Sequence, residues 1–166
     1  MPEKAAVADA GPLIALARIG HLSLLPAVLG EVLVPEAVVS ECVRDRSRPG
    51  AMAIQSALDG GLLVLRRVKR TPELEALAEL LDPGESEALT LAVSEGVPVL
   101  MDEKRGRRVA HHLGIPVLGT GAVLIAAKRA GLVTAVAPLL VALQESGYRL
   151  ADPLVGEILK RCGEGG

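Results

Sequence analysis

Two aspartates close short apolar runs. Asp9 ends Ala5-Ala6-Val7-Ala8, and Asp102 ends Val97-Pro98-Val99-Leu100-Met101. In open parallel α/β sheets, ligands bind just outside the carboxyl ends of the strands, so both acids stand where a site would be. Two glutamates join them from helical stretches. Glu41 follows Ala37 by four residues and Val38 by three, a spacing that turns it toward the buried side. Glu85 precedes Ala88, Leu89, Ala92 and Val93 by three, four, seven and eight residues, so it shares their apolar face. Glu87 is rotated away from Glu85 by roughly 160–200° and is the secondary candidate.

Carboxylates gathered at one point repel, and protons or a cation must relieve them. All-oxygen donors select Mg²⁺ or Mn²⁺ over zinc. Such an ion deprotonates a bound water and stabilises the oxygens of an in-line phosphoryl displacement. No Ser, Cys or His nucleophile is then needed, and the sequence offers no triad. Simpler roles stay open for each acid: Asp9 as the cap of the following helix, Glu41 paired with Arg44 at the surface, Glu85 or Glu87 as a first-turn acid favoured by the helix dipole.

The surrounding pattern supplies elements to hold them. A strand ending on Asp9 meets Gly11-Pro12 and a helix opening at Pro12. A short helix over 22–29, a strand over 31–34 and a helix over 36–44 follow. Further helices are expected at 51–58 and 72–81, with a short strand at 62–65 between them. Asp82 or Gly84 caps a helix running to Glu95. The strand ending on Asp102 leads into a basic helix to Leu113, then a last strand near 115–118. Gly119-Thr120-Gly121 precedes a helix over 122–130, and two C-terminal helices start at Pro138 and Pro153. Alternating strands and helices with short connections predict a three-layer α/β/α fold around a parallel sheet of about four to five strands. Residues 1–162 are read as one domain and 163–166 as a disordered tail.

Composition narrows the function. Half of the 166 residues are apolar, yet there is one tyrosine and no Phe or Trp, so the core is aliphatic and a single aromatic, Tyr148, cannot form the stacking platform that most single-strand RNA-binding modules use. Cys42 and Cys162 form no metal-binding pair, which suits reduced thiols in a cytoplasm. No signal segment and no membrane-spanning run is seen. His21, His111 and His112 read as surface residues, the adjacent pair pointing about 100° apart. Net charge is −2, but Lys and Arg cluster at 44–48, 66–70, 104–108 and 128–129. Near strand ends these would form a phosphate-facing rim.

These segments resemble the PIN domain family, which includes VapC-type toxin ribonucleases. Val7-Ala8-Asp9 with Gly11-Pro12-Leu13-Ile14 is similar to its first motif, and Val34-Pro35-Glu36-Ala37-Val38 through Glu41 to its second. Gly84-Glu85-Ser86-Glu87-Ala88 and Val99-Leu100-Met101-Asp102 are similar to the third and fourth. Gly106-Arg107-Arg108, Gly119-Thr120 with Leu124, and Ala127-Lys128-Arg129 extend the likeness to a PIN-like branch. The resemblance implies Mg²⁺- or Mn²⁺-dependent cleavage of single-stranded RNA, frequent homodimers and, for toxins, a small antitoxin partner. It assigns catalysis to Asp9, Glu41, Glu85 and Asp102, with Asp9, Asp102 and Glu85 holding metal. RNA would be held by Lys104, Arg107, Arg108 and Thr120. The chain departs from many members in carrying Gly11 where they have Ser or Thr, and Glu85 where many toxins have Asp. A PIN-like module that binds RNA or a protein without cleaving is the alternative. A phosphoacceptor receiver domain is disfavoured, because no acidic pair stands at the end of the first strand.

Overall fold

The computed structural model describes residues 4–165. Its five strands are β1 (Ala5–Ala8), β2 (Glu31–Pro35), β3 (Val64–Arg66), β4 (Val99–Leu100) and β5 (Val117–Leu118). They form one parallel sheet in the order β3-β2-β1-β4-β5. The central strand is the N-terminal one. Val7 lies opposite Leu33 on one side and Val99 on the other, so the tips of β1 and β4 are neighbours.

Ten helices among the described residues cover the sheet. These are α1 (Ala10–Arg18), α2 (Leu24–Leu29), α3 (Glu36–Val43), α4 (Ala51–Asp59), α5 (Pro72–Leu80), α6 (Pro83–Glu95), α7 (Lys104–His112), α8 (Thr120–Arg129), α9 (Ala137–Glu145) and α10 (Asp152–Arg161). Successive strand side chains point to opposite faces, and the two apolar cores divide accordingly. Ala6, Ala8, Val32, Val34 and Leu100 pack with Leu13 and Leu16 of α1, Leu124 of α8 and Leu140 of α9. Val7, Leu33, Val99 and Met101 pack with Leu89 of α6 and Ala110 of α7. Strands buried on both faces carry few polar residues, which is why a polar residue can enter only at their ends. None of these helices is long and apolar enough to cross a membrane.

Several boundaries move from those expected. Helix α1 starts at Ala10, not Pro12, so the proline occupies its third position. Helix α8 starts at Thr120 rather than Ala122. The expected disordered tail is also corrected at 163–165. Glu164 accepts the amides of Val136 and Ala137 at 2.8 and 3.0 Å and pairs with Lys128 at 3.1 Å. The start of α9 has unpaired N–H donors, and this carboxylate satisfies two of them. Residues 1–3 and 166 lie outside the described part.

Candidate active site

At the C-terminal edge of β1 and β4, a pocket of about 180 Å³ is lined by Asp9, Gly11, Glu41, Asp82, Glu85 and Asp102 among others. The structure thus brings together all four primary candidates. It adds two acids that the sequence reading had not placed there, Asp82 and Glu103.

Asp9 follows directly from β1, and its backbone amide donates to Leu100 O across the strand pair. It stands at the N-cap position of α1, yet its side chain makes no capping bond. An N-cap oxygen takes its proton from the second or third helical N–H; the third residue here is Pro12, which has none, and the Gly11 amide is not bonded to Asp9 either. Asp9 is left 7% exposed. Burial pushes its carboxyl up to about 7, Asp82, Glu41 and Asp102 add to the rise, and the nearby Ala10 amide opposes it.

Glu85 is pinned by a reciprocal cap at the start of α6. Asp82 Oδ1 accepts the Glu85 amide at 2.8 Å, and Glu85 Oε1 accepts the Asp82 amide at 3.3 Å. The geometry commits one glutamate oxygen and leaves Oε2 buried without a hydrogen-bond partner. A buried polar atom without a partner is costly. Burial, with Asp82 next, pushes the Glu85 carboxyl up to about 8. Gly106 makes room for this atom, since a Cβ there would stand 3.1 Å from Oε2 and collide with Met101 Sδ.

Glu41 reaches the pocket from α3 but stays exposed at its rim. The inward projection expected from its spacing is therefore corrected. The buried residues of α3 are Val38 and Cys42, and Glu41 follows Ala37 to the open edge beside α6. Its carboxyl is raised by desolvation and by Asp82, with Arg44 and Arg48 pulling the other way. Glu87 does not line the pocket; its Oε1 accepts the Ala37 amide at 3.0 Å, at the start of α3.

Asp102 has a contrasting environment. Its Oδ1 accepts the Thr120 amide at 2.8 Å, and its Oδ2 accepts the Thr120 hydroxyl at 2.6 Å. The Tyr148 hydroxyl donates to the same Oδ2. Helix α8 begins at Thr120 because Asp102 satisfies its first amide. Gly119 is needed beside it, since a Cβ would lie 3.1 Å from Oδ1 and 3.0 Å from an Arg107 nitrogen.

Of the residues expected to hold RNA, Lys104 and Arg107 line a neighbouring groove with Asp102. Thr120 is buried and engaged with Asp102, while Arg108 is exposed and lines neither the acidic pocket nor this groove. Arg66, Arg67 and Lys128 of the other basic clusters are paired with Glu31, Glu36 and Glu164. Cys42 is a core residue whose thiol is pushed up to about 12 by burial.

The donor set and the orphaned Glu85 oxygen suit a hard divalent cation. Among the described residues, no three His, Cys, Asp or Glu side chains are already arranged to hold one.

A strand-tip acid cluster on a parallel sheet of this order is the frame of a nuclease-type fold, and the comparisons agree. The family model described as PIN domain matches residues 5–164, and the chain belongs to that family. Its fold is similar to that of a PilT N-terminus domain protein from the hyperthermophilic archaeon Sulfolobus solfataricus P2. That match has a TM-score of 0.50 and 18% identity, over 72% of this chain and 89% of that one. A domain of a functionally unknown protein from Methanocaldococcus jannaschii DSM 2661 is similar at a TM-score of 0.45 and 15% identity, covering 70% of this chain and 90% of that one. A segment of 121 residues, 68% of this chain, is 38% identical to alanine–tRNA ligase of Geobacillus thermodenitrificans (strain NG80-2), and spans 13% of that protein.

Proposed function

We propose that this PIN domain is a Mg²⁺- or Mn²⁺-dependent endoribonuclease cutting single-stranded RNA. The observation that carries the reading is the pocket at the tips of β1 and β4 lined by Asp9, Glu41, Asp82, Glu85, Asp102 and Glu103, with Glu85 Oε2 buried beside Gly106 without a hydrogen-bond partner. Asp9, Glu85 and Asp102 would hold the ion, with Glu41 at the rim orienting water. When bound, the ion supplies an activated water and positive charge for the phosphate oxygens. Burial favours the protonated forms of Asp9 and Glu85, whose carboxyls rise to about 7 and about 8, and ligation would displace those protons. Thr120 and Tyr148 keep Asp102 aimed, and Lys104 and Arg107 attract the substrate phosphates.

The resemblance to VapC-type members supports a cytoplasmic toxin held by a small antitoxin, with a homodimer as the working form. A second reading is a module that binds RNA or a protein without cleaving. It is favoured by Gly11, which leaves the pocket without a hydroxyl at that position, and by the engagement of both Asp102 oxygens. Calorimetric titration of Mn²⁺ into the wild type, Asp9→Asn and Asp102→Asn decides between them. Binding lost in both variants, together with Mn²⁺-dependent cleavage of a single-stranded RNA, is the expected result. No binding at millimolar Mn²⁺ leaves the non-cleaving module.

A further inference from the structure

Asp102 lines two spaces, the acidic pocket and a larger groove of about 450 Å³ between α7, the start of α8, the 148–150 connection and α10. The two differ in chemistry. Lys104, Arg107, Arg149 and Arg161 line the groove, and Asp102 is its one carboxylate. Arg161 is partly compensated by Glu157 at 2.8 Å. Lys104, Arg107 and Arg149 have no carboxylate partner within ion-pair distance among the described residues. Arg107 is fixed by a 2.9 Å bond to Met101 O, and the missing side chain of Gly119 lets its guanidinium lie close to that residue. The remaining wall is apolar: Ile125, Leu150 and the 48%-exposed Leu154. Tyr148 joins the two spaces, its ring in the groove wall and its hydroxyl on Asp102.

Cations, Arg107 among them held in place, beside an apolar wall match a phosphate carrying a sugar and a base, and the volume is in the range of about 300–1,000 Å³ typical of small-ligand sites. The geometry points to this groove as the seat of one nucleotide unit of the single strand. Its phosphate lies toward Lys104, Arg107 and Arg149, and its base lies against Tyr148 and Leu154. The assignment rests on the nuclease reading for its biological sense. Its recognition chemistry, however, involves none of the Asp9–Glu85 cluster. Filling the groove bears directly on the phenol that holds Asp102, so Tyr148 is a positioning residue through which substrate contact reaches the carboxylate.

The test is run without metal, in EDTA, by heteronuclear NMR and calorimetry with a nucleoside 5′-monophosphate and, separately, inorganic phosphate. Tyr148 is the one tyrosine of a chain without Phe or Trp, so its ring signals are assigned without ambiguity and, with no metal present, follow filling of the groove. Millimolar nucleotide binding is expected, with the Tyr148 ring shifted, affinity reduced at least fivefold in Lys104→Ala and Arg149→Ala, and no change in Asp9→Asn. In Tyr148→Phe, rescued packing without the hydroxyl should leave nucleotide affinity within twofold while the metal-dependent cleavage rate falls at saturating RNA. No metal-free binding, binding indifferent to Lys104→Ala and Arg149→Ala, or phosphate binding as tightly as the nucleotide would each overturn the assignment. Loss of Mn²⁺ binding in Asp9→Asn is a separate result, so this site and the nuclease reading fail independently.

Discussion

Asp9 and Asp102 look alike in the sequence and differ in almost every physical respect. Each ends an apolar strand, and the two strands are hydrogen-bonded neighbours. Asp102 accepts three hydrogen bonds, from the Thr120 amide, the Thr120 hydroxyl and Tyr148. Asp9 makes no capping bond to the helix it precedes, whose third residue is a proline without an N–H, and its carboxyl rises to about 7. One strand tip is thus a carboxylate already held in position, the other an acid held at an energetic cost. A cation has most to gain at the second, where its charge replaces a proton and relieves the burial.

Asp9→Asn should break this contrast most severely. It removes the ligand and the burial cost together, so Mn²⁺ affinity should fall at least 100-fold and cleavage with it, while the metal-free protein becomes more stable at pH 8. The sign follows from linkage. A carboxyl whose folded value lies above its ordinary 3.8 holds its proton more tightly in the folded state. The folded state is therefore favoured most at low pH and loses that advantage as pH rises from about 4 to 7, by at most about 4 kcal/mol for a shift of this size. Glu85, raised to about 8, extends the same fall to higher pH. Thermal midpoints at pH 5 and pH 8 in EDTA should show wild type losing stability with rising pH and Asp9→Asn losing less. A flat wild-type profile would contradict the protonated cluster.

The same substitution at Asp102 should have the opposite sign in the metal-free protein. An amide cannot accept all three of the donors that Asp102 satisfies, so Asp102→Asn should cost about 1–3 kcal/mol in denaturant unfolding, besides weakening Mn²⁺. Equal stability changes for the two variants would erase the distinction drawn between the tips. Thr120→Val isolates part of the Asp102 set. Losing the hydroxyl while keeping the backbone donor should cost about 1 kcal/mol and reduce cleavage about threefold to tenfold through a less fixed carboxylate. Unchanged stability and rate would remove Thr120 from that role.

What the sequence made legible, and what it hid, follows the same division. The layers and the parallel sheet are readable in outline because short apolar strands alternate with helices over short connections, whereas the strand order β3-β2-β1-β4-β5 is not. The two Asp tips followed from where those runs stop. The side-chain bonds were not readable, since they join residues 18 and 46 positions apart. Nothing in the sequence places Tyr148 beside Asp102, although a half-buried phenol in an otherwise aliphatic chain needs a partner for its hydroxyl. Asp82 was read as a helix cap, which it is; that the same carboxyl also faces the pocket depends on how α6 meets α3. Glu41 misled because α3 buries only a narrow stripe, and a helix-face argument cannot separate the core side from the open edge beside it.

Gly11 offers the smallest and most constructive change. Many PIN members have Ser or Thr two residues after the first Asp, and here that position is an exposed glycine on the pocket wall. A Cβ added to Gly11 meets nothing within 4 Å, so Gly11→Ser introduces a hydroxyl without a clash. Replacing a glycine within a helix should also stabilise α1, by about 0.5 kcal/mol. The added oxygen gives a bound cation, or its water, one more partner beside Asp9. Mn²⁺ affinity measured by calorimetry should rise about twofold to fivefold, with a parallel gain in cleavage. If the serine raises stability but leaves Mn²⁺ affinity unchanged, the hydroxyl does not reach the ion, and the glycine at this position is a neutral departure rather than a weakened site.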